Sequence, residues 1–243
     1  MTPEQIALSK PLKDLFPAYV NSLSLTAPDG TPLSLDETGE GSFKDYVKSF
    51  VVASADREYQ TRDTAKNLSW RMTPGSEIEL QDYLDVENGR VTDLDWEGFV
   101  RKITRMKATL AFDGVDLSNP ENEEFGDETV EARHFSAFSM AHSQIPGAEM
   151  ADSRLVRMLN PTCYLGVSGA DNAKHWRIRH GAFDRDTSLA IPVILAALLQ
   201  KLGCAVDFRL PWGLPHSGDY DLPELFDWID DICASEKSRD WQL

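Results

Sequence analysis

One stretch limits what this chain can fold into. It runs from Lys174 to Tyr220 and reads KHWRIRHGAFDRDTSLAIPVILAALLQKLGCAVDFRLPWGLPHSGDY. His175 to His180 alternates, with Trp176 and Ile178 on one face and turn-forming Gly181 after it. Thr187 to Leu202 is an apolar helix that stops at Gly203, a residue suited to the left-handed conformation that ends helices. Ala205 to Leu210 is a second strand, closed by Pro211, Gly213 and Pro215. A strand, a crossover helix and a second strand predict a right-handed βαβ unit and an α/β fold class. Chemistry in such units lies beyond the carboxyl ends of the strands. Asp184 follows the first strand and His216 the second. A carboxylate and an imidazole so placed form an acid–base pair: the Asp fixes the tautomer and the His moves the proton. Both are also ordinary loop residues, and Asp186 can cap the helix predicted to start at Thr187.

The order Asp then His is that of the last two members of an α/β-hydrolase triad. The motifs DRDTSLAI and DF-x-LPWG-x-PHSGDYDLPELFDWID resemble the C-terminal end of tannase-type α/β-hydrolases, esterases related to the feruloyl esterases. The resemblance makes Asp184 the triad acid and His216 the triad base, and gives Asp186 to the phenolic hydroxyls of a galloyl group. Upstream, RMK, AFD and SNPEN resemble the lid of that family, where a Lys and a later Glu also contact those hydroxyls. The matching positions are Lys107 and Glu121. The chain departs from the pattern at Thr109 and Leu110, where the family carries prolines. Read without the resemblance, Lys107 sits at a helix C-terminus favoured by the dipole, and Glu121 is solvated surface in an acidic run.

A larger departure is the nucleophile. This fold needs a Ser on a tight strand–helix turn, usually G-x-S-x-G. Gly166-Val167-Ser168-Gly169-Ala170 comes nearest, but lacks the second glycine in place and lies too close before Asp184 to hold an elbow helix. Ser168 reads as a turn residue. The chain therefore looks like a family member cut just before its lid. The implied activity is hydrolysis of phenolic or galloyl esters, inactive in this chain alone. The alternative is a non-catalytic relative that binds phenolics, docks with a separate N-terminal half, or self-associates through an open sheet.

Division is expected near Asp152, with residues 1–151 a mostly helical, lid-like part and 152–243 a partial α/β-hydrolase core of βαβα units. The length of 243 residues suits one large or two small domains. A net charge of −16 argues against nucleic acid and anionic membrane. Cys163, Cys204 and Cys233 are too sparse for zinc or a disulfide framework and suit a reducing, cytoplasmic setting. No run is long and apolar enough to span a bilayer, no signal peptide is visible, and no cofactor motif or internal repeat is present.

Local signals fill in the rest. Thr2-Pro3-Glu4-Gln5 is a capping box ahead of a helix that Pro11 and Pro17 should break or kink. Pro28-Asp29-Gly30 marks a turn. Ser42 caps a helix with Phe43, Tyr46, Val47, Phe50, Val51 and Ser54 on its core face. Asn88-Gly89 predicts a hairpin, and Leu94 to Met106 a helix burying Trp96, Phe99, Val100 and Ile103. Phe112 to Gly126 reads as acidic loop. Thr129 to His142 reads as a helix, with His134 and His142 structural residues. Ala151 to Leu159 is a short helix. Asp221 to Glu224 is a further capping box, before a helix burying Leu225, Phe226, Trp228 and Ile229.

Overall fold

The computed structural model describes residues 2–61, 69–73, 76–79, 83–103, 109–216 and 220–240. In chain order these form α1 (Pro3–Ser22), α2 (Ser42–Thr61), β1 (Ser69–Thr73), β2 (Ser76–Glu79), β3 (Leu84–Glu87), β4 (Arg90–Leu94) and α3 (Trp96–Ile103). Then come α4 (Pro120–Glu123), α5 (Ala137–Ala141), α6 (Ser153–Met158), β5 (His175–Arg179), α7 (Ala190–Lys201), β6 (Ala205–Arg209) and α8 (Leu222–Asp240). A 3₁₀ turn at Pro161–Tyr164 follows α6.

The organising unit is present as the periodicity demands. β5 pairs with β6 in parallel, from His175 opposite Ala205 to Arg179 opposite Arg209, with α7 crossing between them. Gly203 ends the crossover at φ 78°. The helix starts at Ala190, not Thr187, with Leu189 at the cap position and no side-chain cap bond. Asp186 is therefore not its cap. The later start also resolves Pro192. As the third helical residue it lies where the backbone N–H has no intrahelical partner to lose.

Pleating separates two kinds of side chain. Ile178, Val206 and Phe208 join the hydrophobic core with α2, and Phe50 meets Phe208 edge-on at 4.7 Å. On the other face Arg177 and Arg179 are buried against Asp207 and Asp221. The Asp221 carboxylate accepts from Arg177 Nη2 at 2.6 Å and Arg179 Nε at 3.0 Å. That engagement ties the start of α8 to the sheet instead of capping it. Nor does α8 bury the residues expected of it: Leu225 and Trp228 are half-buried, while Phe226 is 61% and Ile229 39% exposed.

The first hundred residues complete the core. The Thr2 capping box is made, and α1 continues through both Pro11 and Pro17. Each proline lacks the N–H that would reach the carbonyl four residues before it, on Ala7 and Lys13, and both of those residues are exposed to solvent. On α2, Phe43, Val47, Val51 and Ser54 are buried as the helical spacing requires. Ser42 is the first residue of the helix, and its hydroxyl links Pro32 O and Ser34 N rather than capping. Asn88 at φ 51° and Gly89 at φ 74° turn β3 into antiparallel β4. Phe99 of α3 is buried against Phe183 and Trp212. Val100 remains partly exposed. The expected helix over Thr129–His142 shrinks to α5, capped by Ser136. Among the described residues no helix is long and apolar enough to cross a membrane. All three cysteines are free.

Candidate active site

Two loops leave the carboxyl ends of β5 and β6 and run side by side. Their backbones are joined by His180 N–H to Arg209 O at 3.3 Å, Ala182 N–H to Pro211 O at 2.9 Å and Phe183 N–H to Leu214 O at 3.0 Å. Beneath them Phe183 and Trp212 meet edge-on at 5.0 Å, forming an aromatic floor with Phe99. Gly181 sets the spacing. A Cβ there would lie 2.1 Å from Leu214 O and 2.5 Å from Pro215 O. Only a residue without a side chain lets the loops approach this closely.

The two loops bring together the pair that the sequence singled out. His216 Nδ1 donates to Asp184 Oδ2 at 2.9 Å. The other carboxylate oxygen accepts the backbone N–H groups of Asp186 at 2.8 Å and Thr187 at 2.9 Å. Asp184 is 3% exposed, so burial pushes its carboxyl up. The Thr187 N–H, the His216 ring and the Asp186 N–H more than offset this, and the group is held below the usual carboxylate value. It is an ionised, fixed acceptor at neutral pH. With Nδ1 engaged, His216 presents Nε2, and its side chain is 61% exposed. This is the geometry of a base whose working nitrogen faces open space.

Asp186 stands beside the pair. Single ligand atoms of Asp184, Asp186 and His216 lie within 4.8 Å of one another, the one such grouping among the described residues. Asp184 and His216 direct their facing atoms at each other, which suits proton transfer more than cation binding. Glu121 lies in the first turn of α4 and is half-buried, not solvated. Lys107 falls outside the described residues. Ser168 is exposed in a turn closed by Ala170 N–H to Val167 O at 3.1 Å, as its composition indicates.

Two features escaped the sequence reading. One is His180, whose Nε2 lies 3.4 Å from Asp184 Oδ2. Its position at the end of β5, four residues before Asp184, was the available signal. The other is a second Asp–His–Ser array. His134 Nδ1 meets Asp113 Oδ1 at 2.8 Å, and its Nε2 meets Ser143 Oγ at 2.9 Å. This array cannot serve as a triad. His134 is fully buried, so no leaving group reaches it, and Ser143 Oγ accepts the Ile145 N–H at 3.2 Å. His134 is a satisfied structural residue.

The fold and site define an α/β chain with a parallel βαβ unit and an acid–imidazole pair at its strand ends. No protein-family model and no curated protein matches the chain. Solved structures do. It is 46% identical to the native tannin acyl hydrolase of Lactobacillus plantarum over 96% of its length, with a TM-score of 0.86. A tannin acyl hydrolase in complex with ethyl gallate matches at a TM-score of 0.84, also at 46% identity over 96% of this chain. The tannase of Fusobacterium nucleatum is 40% identical over 96% of this chain, at a TM-score of 0.82. The chain is therefore similar to tannases along nearly its whole length. It spans about half the length of these relatives, 47–48%.

Proposed function

We propose that this chain supplies the acid and base of a phenolic-ester hydrolase whose nucleophilic Ser comes from outside these 243 residues. In this reading 152–243 is the C-terminal part of an α/β-hydrolase core and 1–151 its lid-like insertion. The observation that carries it is the 2.9 Å bond from His216 to Asp184 at adjoining parallel-strand ends. A Ser hydroxyl at the open Nε2 would give up its proton as it attacks the ester carbonyl. His216 would then pass that proton to the leaving alcohol, while Asp184 stabilises the imidazolium. Lys107, Glu121 and Asp186 would hold the ring hydroxyls, since charged groups make strong hydrogen bonds to phenols. Solved relatives bound to 3,4-dihydroxybenzoate and ethyl gallate support that substrate class. The chemistry of this reading calls on no cofactor.

The purified chain should hydrolyse ethyl gallate no faster than buffer, because the attacking group is missing. Measured turnover that His216→Ala abolishes would place the nucleophile inside the chain and overturn the proposal.

A second reading draws on the exposed apolar residues of α8, Leu222, Phe226 and Ile229, and on a parallel sheet that has two strands among the described residues. Parallel sheets are normally covered on both faces and continued at their edges. On this reading the chain is a non-catalytic relative that binds phenolics weakly, docks with a separately made N-terminal half, or self-associates. Size-exclusion chromatography is then expected to show association, and a compact monomer at high concentration would count against it.

A further inference from the structure

His180 has no part in the reaction as described, yet it stands against the centre of the pair. Its ring is largely buried, and Nε2 has no hydrogen-bond partner within bonding geometry. Asp184 Oδ2, the same oxygen that takes the His216 N–H, lies 3.4 Å from it. A buried ring nitrogen beside an anionic oxygen has two options. If bare, its lone pair repels the carboxylate; if protonated, its N–H is attracted. The Asp184 oxygens leave it no better site. Oδ1 holds two backbone N–H groups, and the stronger bond on Oδ2 belongs to His216.

We propose that His180 is a positioning residue: a neutral Nε2–H imidazole that shares Asp184 Oδ2 with His216 and tempers the pull of the carboxylate on the triad base. The proposal rests on reading Asp184 and His216 as acid and base. The groups facing His180 are the Asp184 carboxylate, the His216 ring and the Thr187 backbone. Burial lowers its pKa from the ordinary value and outweighs the Asp184 charge and the Thr187 backbone, while His216 lowers it further. Neutrality matters here. A second cation on Oδ2 would compete with the imidazolium that the base must become. A neutral donor weakens the resting Asp184–His216 bond, and it can yield when His216 takes its proton.

The chain has only five histidines, which makes ring NMR practical. In the full chain near neutral pH, ¹⁵N shifts should report His180 as the Nε2–H tautomer. The Nδ1–H proton of His216 should resonate downfield of the amides. In His180→Phe, with the shared donor gone, that proton should move further downfield. In His180→Gln, whose amide nitrogen can stand near the former Nε2, it should return toward its starting position. A purely packing role predicts the reverse ranking, because Phe fills the space better than Gln. An Nδ1–H tautomer for His180, or an unmoved His216 proton in a folded His180→Phe, would overturn the inference. Should His180→Phe fail to fold, the tautomer and the response to His180→Gln decide. Absence of any downfield His216 proton that Asp184→Asn removes would instead overturn the acid–base reading, while the His180 tautomer still tests the sharing.

Discussion

Replacing Gly181 with alanine should separate the two site loops and break the Asp184–His216 bond. The added methyl would meet two backbone carbonyl oxygens, Leu214 O at 2.1 Å and Pro215 O at 2.5 Å. Neither is the end of a flexible side chain that could swing away. Relief requires the 211–216 loop to move as a unit. That movement strains the Phe183–Leu214 hydrogen bond and carries His216, next in sequence to Pro215, away from Asp184. Two energies compete. A Gly to Ala change stabilises by about 0.4–1 kcal/mol where the backbone accepts it, by restricting the unfolded chain. Overpacking a rigid site costs about 1–3 kcal/mol. Both clashes are with main chain, so the cost should win and fall toward the upper end of that range. The check is double. Urea denaturation should show lower stability, and the downfield His216 ring proton should disappear while the core aromatic resonances remain. A variant that keeps that proton would show that the loop spacing does not depend on Gly181.

Much of this site was legible because it is built from local patterns. Alternation marked β5 and β6, an apolar run marked α7, and strand ends marked Asp184 and His216. The Asn88-Gly89 turn and the buried stripe of α2 were readable for the same reason. The failures arise where contacts outside the local pattern, or their absence, decide the outcome. Asp221 has the sequence position of a cap, but the two strand arginines hold it. Asp184, not Asp186, accepts the N–H groups before α7, so the helix starts late. Amphipathic spacing on α8 gave no sign that its apolar residues would stay exposed. His180 acquires its interest only when the loop folds back over four residues and brings His216 in from the next strand. The acidic stretch from Phe112 to Gly126 is the clearest case. Composition made it solvated loop, yet Asp113 and Asn122 within it are among the buried polar residues.

Removing the Asp113 carboxylate should therefore be the most destabilising single change outside the hydrophobic core. Five donors converge on its two oxygens. Asn122 Nδ2 and His134 Nδ1 reach Oδ1, each at 2.8 Å. The Phe135 N–H at 3.0 Å, the Ser136 N–H at 2.7 Å and the Ser136 hydroxyl at 2.7 Å reach Oδ2. Asn122 in turn accepts the Gly114 N–H and donates to Arg133 O, so three stretches, at 113–114, 122 and 133–136, are tied to one carboxylate. Burial pushes the Asp113 carboxyl up, but the bonds from Ser136, His134 and Asn122 prevail and hold it below the usual carboxylate value. Asp113→Ala leaves the buried Asn122 and His134 and the half-buried Phe135 and Ser136 donors unpaired, at a cost of about 3–5 kcal/mol by analogy with a broken buried ion pair. Asp113→Asn should lose most of the same stability, because an amide turns an N–H₂ group toward donors that need an acceptor. The loss should be regional. Hydrogen exchange should accelerate at the Phe135 and Ser136 amides, with little change in the β5–β6 ladder. The pH dependence has a definite sign. A folded value below the unfolded one, about 3.9, gives stability that is present above that pH and lost as acid titrates the folded group. Acidification should thus release this segment below the ordinary carboxylate range, and Asp113→Asn should lack that step. Unchanged amide protection in Asp113→Ala would show that the loop is held by its apolar contacts, with Phe125 stacked on Phe135 at 4.2 Å as the first candidate.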